Sequence, residues 1–345
     1  MPVFTDLTAA TPLSIDQAMR TAIAASKRVK ATTSPNPAVG CVVLDATGIP
    51  VGVAATDPAG GPHAEPQALR QAGARATGGT AVVTLEPCHH HGKTPPCTTA
   101  LKDAGIAKVL FAVSDPNPVA TGGEEWLQHQ GIEVVRGVLA ADVADGVLRP
   151  WLHWQATRRP HITLKTAGTV DGLAAATDGS SQWITGEKAR TEVHLDRSRR
   201  DAIIVGTGTV LADNPRLTAR KPNGELYEHQ PLRIVVGHSE IPEDAAILGD
   251  NFRHIRARDM EQVVDVLADL GLIDVLVEGG PRLAGAFLDA GLVDAIESYV
   301  APSVLGAGTA VVDTGKTTNI TDITRFRTVS VSTLGDDVLI KAVRT

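Results

Sequence analysis

Long apolar runs are missing from this chain. Nowhere in its 345 residues do about 18 apolar side chains follow one another, the length a membrane-spanning helix needs, so no membrane partner is expected. Met1 to Pro12 has neither the charged start nor the apolar stretch of a secretory leader, which makes the cytoplasm the expected location. Cysteine is scarce: three residues, an odd number, argue against a disulfide framework and for a reducing compartment. Basic residues are not in excess either. With 32 Lys and Arg against 39 Asp and Glu, the net charge of −7 disfavours nucleic acid as a partner and leaves room for a small anionic substrate held by local cations. There is no fixed-period repeat and no low-complexity segment. At roughly 100 to 200 residues per domain, the length suggests two domains, each with its own core.

What is present is concentrated between His63 and Cys97. The stretches His63-Ala64-Glu65, Thr84-Leu85-Glu86-Pro87-Cys88 and Pro95-Pro96-Cys97 supply one imidazole, one carboxylate and two thiols. One imidazole and two thiolates fill three positions of a tetrahedral Zn²⁺ and leave the fourth for water, whose pKa the metal lowers to about 7. Glu65, two residues past the His on the same first helical turn, can take that water's proton and pass it to a departing amine without binding the metal. The pattern predicts hydrolytic deamination, with His63, Cys88 and Cys97 as ligands and Glu65 as the proton carrier. The bland alternative is a closed zinc staple, but such sites use four protein ligands and short Cys-x2-Cys pairs. His89, His90 and His91 could offer a fourth ligand or form a solvated loop, and the sequence leaves that open.

Ile15, Ala18, Met19, Ala22, Ile23 and Ala25 follow Ser14 at helical spacing, predicting a capped helix over 15–31. Ser34-Pro35-Asn36-Pro37 ends it and leads into a buried strand, Val39 to Leu44. Further strands are predicted at Thr80 to Leu85 and Val109 to Val113, with a helix from Cys97 to Ala104 between them. This alternation predicts an α/β sandwich with His63 and both cysteines at helix starts, where the backbone dipole favours thiolate. Cys41, inside an apolar run, reads as a packed core thiol. Trp151 to Trp154 and Arg158-Arg159-Pro160 mark a boundary near Thr157. Beyond it, strands are predicted at His161 to Lys165, Ala202 to Val205, Leu232 to Val236 and Asp274 to Val277. Val205-Gly206-Thr207-Gly208-Thr209 is a weak dinucleotide fingerprint, because Leu211 replaces the third glycine. This loop and Glu278-Gly279-Gly280 could cradle phosphate through backbone N–H groups or be plain glycine turns.

Most zinc deaminases of this pattern separate their two cysteines by two residues; here they lie nine positions apart (97 − 88), with His-Gly-Lys-Thr-Pro-Pro between His90 and Cys97. With that insertion the stretch resembles the bifunctional deaminase/reductase family of riboflavin biosynthesis. Leu164-Lys165, Val170-Asp171-Gly172, Ser181-Gln182-Trp183-Ile184-Thr185, Ala212-Asp213-Asn214-Pro215 and Glu278-Gly279-Gly280 resemble successive motifs of its reductase half. The resemblance implies a cytidine-deaminase-like α/β/α sandwich over 1–157 and a dihydrofolate-reductase-like α/β domain over 158–345. It implies deamination of a diaminopyrimidinone ribosylamine phosphate, then NADPH-dependent reduction of the ribose to a ribityl chain. By position it implies substrate contacts at Asn36, Lys93, Ser181, Arg197, Leu217 and Arg220. NADPH would meet Gly168, Trp183, Thr209, Asp213, Glu278, Gly279 and Gly280, while Lys165 and Asp213 would stand near the chemistry. A homo-oligomer is expected. Two positions depart from the family: Thr56 where a His is usual, removing a substrate contact, and His89 where Ser is common, altering hydrogen bonding around the pocket. Two rivals to this reading are a nucleoside or nucleic-acid deaminase whose C-terminal half only binds, and a zinc-stabilised scaffold without activity.

Overall fold

The computed structural model describes residues 11–90, 95–117 and 122–345. The chain divides into two compact units, Met1–Thr157 and Arg158–Thr345.

The first unit runs α1 (Ile15–Val29), β1 (Gly40–Leu44), β2 (Pro50–Ala55), α2 (Ala64–Ala72), β3 (Thr80–Leu85), α3 (Cys97–Asp103), β4 (Lys108–Val113), α4 (Gly123–His129), β5 (Glu133–Arg136), α5 (Ala140–Ala144) and α6 (Arg149–Thr157). Ser14 caps α1: its hydroxyl accepts the Gln17 N–H at 3.2 Å while Gln17 Oε1 accepts the Ser14 N–H at 2.8 Å. Such a cap contributes about 1 kcal/mol. The helix ends at Val29 rather than at Ala31, which turns the chain with φ +72°. The sheet order is β2-β1-β3-β4-β5, with β1 antiparallel to both neighbours and β3, β4 and β5 parallel. Two glycines set the layers. A Cβ on Gly40 would lie 2.0 Å from the Ala22 carbonyl of α1, and one on Gly52 would lie 2.1 Å from the Ala68 carbonyl of α2. Val43 pairs with Gly52 and stands three residues from Gly40, so those glycines point to opposite faces and α1 and α2 cover the sheet on its two sides.

The second unit runs β6 (His161–Thr169), β7 (Leu173–Ala175), α7 (Glu187–Arg197), β8 (Ala202–Gly206), α8 (Thr207–Asp213), β9 (Leu232–Val236), β10 (Phe252–Ile255), α9 (Met260–Asp269), β11 (Asp274–Val277), α10 (Pro281–Asp289), β12 (Ala295–Ala301), β13 (Thr309–Ala310), β14 (Phe326–Leu334) and β15 (Asp337–Arg344). Its large sheet is ordered β10-β9-β8-β11-β6-β12-β15-β14; the first six are parallel to one another, and β15 and β14 turn antiparallel. Ile204 packs with Val263, Leu267 and Phe287, whereas its neighbour Ile203 joins Val210 and Leu217 in a separate cluster. Both faces of the central strands are therefore covered, which is why they read as uninterrupted apolar runs in the sequence. A cluster of charges is buried together: Arg200 bonds Asp196 at 3.0 Å, Asp274 and Glu297 at 2.8 Å, and the Thr163 hydroxyl at 2.9 Å, tying the end of α7 to β11, β12 and β6.

Candidate functional site

Two constellations stand out, one in each unit. In the first, His63 is the N-cap of α2 and Cys97 the first residue of α3. Cys88 is not at a helix start, contrary to expectation: it lies in the irregular segment after β3, whereas α3 begins at Cys97 with Pro96 as its N-cap. His63 Nδ1 stands 3.6 Å from Cys88 Sγ and 3.3 Å from Cys97 Sγ, and all three ligand atoms fall within 4.8 Å of one another. Zinc at about 2.0 Å from nitrogen and 2.3 Å from sulfur, with tetrahedral angles, asks for an N···S separation of about 3.6 Å. The three residues fit that ion.

The electrostatics ask for a cation as well. The Cys88 thiol is lowered to about 4, chiefly by the hydrogen bond from Cys97 and secondarily by His63, against burial. The Cys97 thiol is driven up by that same partner and by burial. Two thiolates this close repel, so the second charge needs a metal beside it. Glu65, in the first turn of α2 and 3% exposed, is raised to about 7 by burial and by the charge of Cys88.

A cavity of about 220 Å³ opens over this cluster, with His63, Glu65 and Cys88 on its floor and Asn36 in its wall. Thr56 also lines it, its hydroxyl accepting the Val39 N–H at 3.2 Å. Lys93 lies outside the described residues. Sequence reasoning missed Glu86, Asp115, Asn117, Trp151 and Gln155 as site residues, and all five line the cavity. Glu86 is a buried organiser: its carboxylate accepts the N–H of Asp115 at 3.2 Å and of Glu124 at 3.1 Å. Trp151 and Gln155, four apart on α6, could have been found together as one helical face. His89 is absent from the cavity wall, where His90 stands instead.

In the second unit the residues gather at the carboxyl ends of the parallel strands, where open α/β sheets place their ligands. Lys165 on β6 and Glu278 at the end of neighbouring β11 approach to 3.7 Å. Arg197, the last residue of α7, grips the same carboxylate through Nε and Nη2 at 2.7 and 2.8 Å and donates from Nη1 to the Thr218 carbonyl at 3.3 Å. Burial alone would raise Glu278, but Arg197 and Lys165 hold it at about 2. Burial lowers Lys165, and Glu278 partly restores it. The Gly280 N–H donates to Thr209 Oγ1 at 3.3 Å, joining the loop after β11 to the first turn of α8. That loop opens α10, and β8 runs straight into α8; the N-terminal N–H groups there, with Lys165 and Arg197 nearby, suit an anionic dinucleotide.

Other expected residues are spread around this centre. Trp183 is 71% exposed and lies under the Arg190 guanidinium, 4.5 Å from its ring centroid. Ser181 is half-buried in the segment between β7 and α7, Gly168 is buried on β6, and Asp213 is exposed at the end of α8. Leu217 buries its side chain against Val210 and Val235, so only its backbone is left for a ligand. Arg220 is half-buried, and its charge helps to depress His194.

Two family models match the chain: the cytidine and deoxycytidylate deaminase zinc-binding region over residues 13–113, and the RibD C-terminal domain over residues 160–340. The riboflavin biosynthesis protein RibD of Mycobacterium tuberculosis H37Rv is 51% identical over 332 residues, covering 96% of this chain and 97% of that protein. The chain belongs to the RibD family. The RibD of Escherichia coli K12 is 39% identical over 84% of this chain and 88% of its own length. Among solved structures, Acinetobacter baumannii RibD is similar with a TM-score of 0.82 and 35% identity, over 96% of this chain and 99% of that one. A diaminohydroxyphosphoribosylaminopyrimidine deaminase/5-amino-6-(5-phosphoribosylamino)uracil reductase of Thermotoga maritima is similar at 0.83 and 32%, with the same coverage. As a RibD the chain is a bifunctional enzyme of riboflavin biosynthesis, a zinc-binding hydrolytic deaminase and an NADPH-dependent reductase. The rival with a C-terminal half that only binds gives way, because that half matches the RibD C-terminal domain almost throughout.

Proposed function

We propose that residues 1–157 deaminate 2,5-diamino-6-ribosylamino-4(3H)-pyrimidinone 5′-phosphate and that residues 158–345 reduce the ribosyl group of the resulting 5-amino-6-(5-phosphoribosylamino)uracil to ribityl. The observation that carries the first step is the His63, Cys88 and Cys97 cluster with Glu65 buried beside it under one cavity. The name of the Thermotoga relative supports the substrate pair.

His63, Cys88 and Cys97 hold zinc, which supplies Lewis acidity for activating water. Glu65 holds the proton to be moved; a carboxyl raised to about 7 both accepts and donates near neutrality. Asn36 and Lys93 position the substrate. In the second unit NADPH supplies hydride. Gly168, Trp183, Thr209, Asp213 and the loop Glu278-Gly279-Gly280 line its site; Ser181, Arg197, the Leu217 backbone and Arg220 hold the sugar phosphate. Lys165 stands beside the reacting carbon, with Asp213 orienting substrate or relaying a proton. The enzyme works in the cytoplasm on small phosphorylated pyrimidines, without nucleic acid, in keeping with its acidic balance. A homo-oligomer is supported by edge strand β14, which is paired in the sheet on one side, with β15, and exposes Val331 to 62%: an open edge attracts a second chain.

Incubating the purified enzyme with the diaminopyrimidinone substrate, with and without NADPH, and weighing the products tests the reading. Without NADPH one ring amine should be exchanged for oxygen, and with it two hydrogens should be added. A product that keeps both ring amines, or a deaminated compound that leaves NADPH untouched, would overturn it.

A further inference from the structure

His89 follows Cys88 directly, and Thr98 follows Cys97 directly. Their side chains meet, His89 Nδ1 to Thr98 Oγ1, at 2.9 Å. Beside this bond the Thr98 N–H donates to the Cys88 carbonyl at 3.3 Å. The two thiol-bearing segments are thus joined twice, once between the residues that follow the cysteines and once from Thr98 to the Cys88 backbone.

The joint is backed by α4. The His89 ring stacks on Trp126 with centroids 4.8 Å apart and planes 28° from parallel, and Lys102, one turn along α3 from Thr98, holds its ammonium 5.7 Å from the same indole. The start of α4 lies hard against the segment, since a Cβ on Gly123 would fall 2.1 Å from the Pro87 carbonyl oxygen. His89 therefore faces away from the cavity, and the altered pocket hydrogen bonding expected from its replacing Ser is not what it provides.

We propose that His89 is a positioning residue for the metal, a latch that fixes the spacing of the Cys88 and Cys97 sulfurs before the cation arrives. The inference rests on reading His63, Cys88 and Cys97 as the zinc site. In a Cys-x2-Cys pair the short loop itself holds the sulfurs together, whereas here eight residues, 89–96, intervene. Closing a longer loop costs more chain entropy. A hydrogen bond joining residues 89 and 98, with the aromatic stack behind it, removes part of that cost in the apoprotein.

The test uses the full-length protein and His89→Ala, Thr98→Val, their combination, and His89→Asn, whose carboxamide reaches where Nδ1 does. Zinc affinity is read by chelator competition, and sulfur-to-metal charge-transfer absorption is read on Co²⁺-substituted protein. Each single variant should bind zinc roughly 10- to 100-fold more weakly, the range for residues supporting metal ligands. The double variant should be no weaker than the worse single, because both remove one bond, and His89→Asn should recover most of the loss. Zinc affinity within twofold of the unmodified protein in both single variants, or losses that multiply in the double, would overturn the latch. Should His89→Ala not fold, the near-isosteric Thr98→Val carries the test. Cys97→Ser separates the two ideas: zinc retained there defeats the zinc site itself, whereas zinc lost there but unaffected in the latch variants defeats only the latch.

Discussion

Arg197 and Glu278, 81 residues apart in the chain, meet as a two-pronged ion pair at 2.7 and 2.8 Å, with the Lys165 ammonium 3.7 Å from the same carboxylate. Two cations share one anion in a buried place, so the cluster keeps a positive surplus at the carboxyl ends of the central strands, beside the Glu278-Gly279-Gly280 loop. That surplus suits ligands carrying phosphate.

Glu278→Gln keeps the shape and removes the anion, leaving Lys165 and Arg197 facing each other unpaired. The expected loss of stability is about 3–5 kcal/mol by denaturant titration, as for buried pairs broken on one side. The pH sign follows from the depressed carboxyl. Held at about 2 when folded against 4.5 ordinarily, Glu278 stabilises the fold above pH 4.5, and that contribution drains away as pH falls toward 2. The variant should lack this acid-dependent component; an unchanged acid profile would refute the assignment.

Cys88→Ser removes one of three ligands, so bound zinc and deamination should both be lost, since an open three-ligand site has little redundancy. Metal analysis showing one zinc per chain in the variant would refute the ligand role.

Glu65→Gln keeps the side chain's volume and ends its proton transfer. Deamination should fall about 10²- to 10⁴-fold while zinc stays bound. Reduction of the already deaminated ribosylamino-uracil phosphate should proceed at the unmodified rate, because Lys165 and Glu278 belong to the other compact unit. Loss of NADPH oxidation in a folded Glu65→Gln variant would show that reduction is not independent of the first unit.

His194 should stay neutral well below the usual imidazole range. Burial first, then the charges of Arg197 and Arg220, lower it to about 4. As pH falls below 6.5 the unfolded chain takes up a proton that the folded chain refuses, so stability declines from about 6.5 down to 4. Following the ring proton shift by NMR checks this, and a midpoint near 6.5 would contradict it.

The elements that could be read from the sequence were those whose signal is local. Ser14 with its apolar periodicity marked α1, and the unbroken apolar runs marked β1, β3, β8 and β11, because covered strands need no alternation. His63, Glu65, Cys88 and Cys97 were legible because their chemistry demands a particular set in a particular order. Partners chosen across the fold were not. Nothing near Arg197 in the sequence points to Glu278, nothing beside His89 announces Trp126, and Glu86 serves two backbone N–H groups that only the folded chain brings near. Leu217 shows the limit from the other side: an isolated leucine in a loop carries no period, so its place in the core is invisible along the chain.

Trp151 and Gln155 close the cavity from α6, well past residue 113 where the zinc-binding region ends. A fragment trimmed to that region would keep His63, Cys88 and Cys97 and still be a cup with one side cut away, open to water where Trp151 and Gln155 line the cavity. The compact units part after Thr157, and any attempt to express the first unit alone, or to graft it onto another partner, has to carry α6 along.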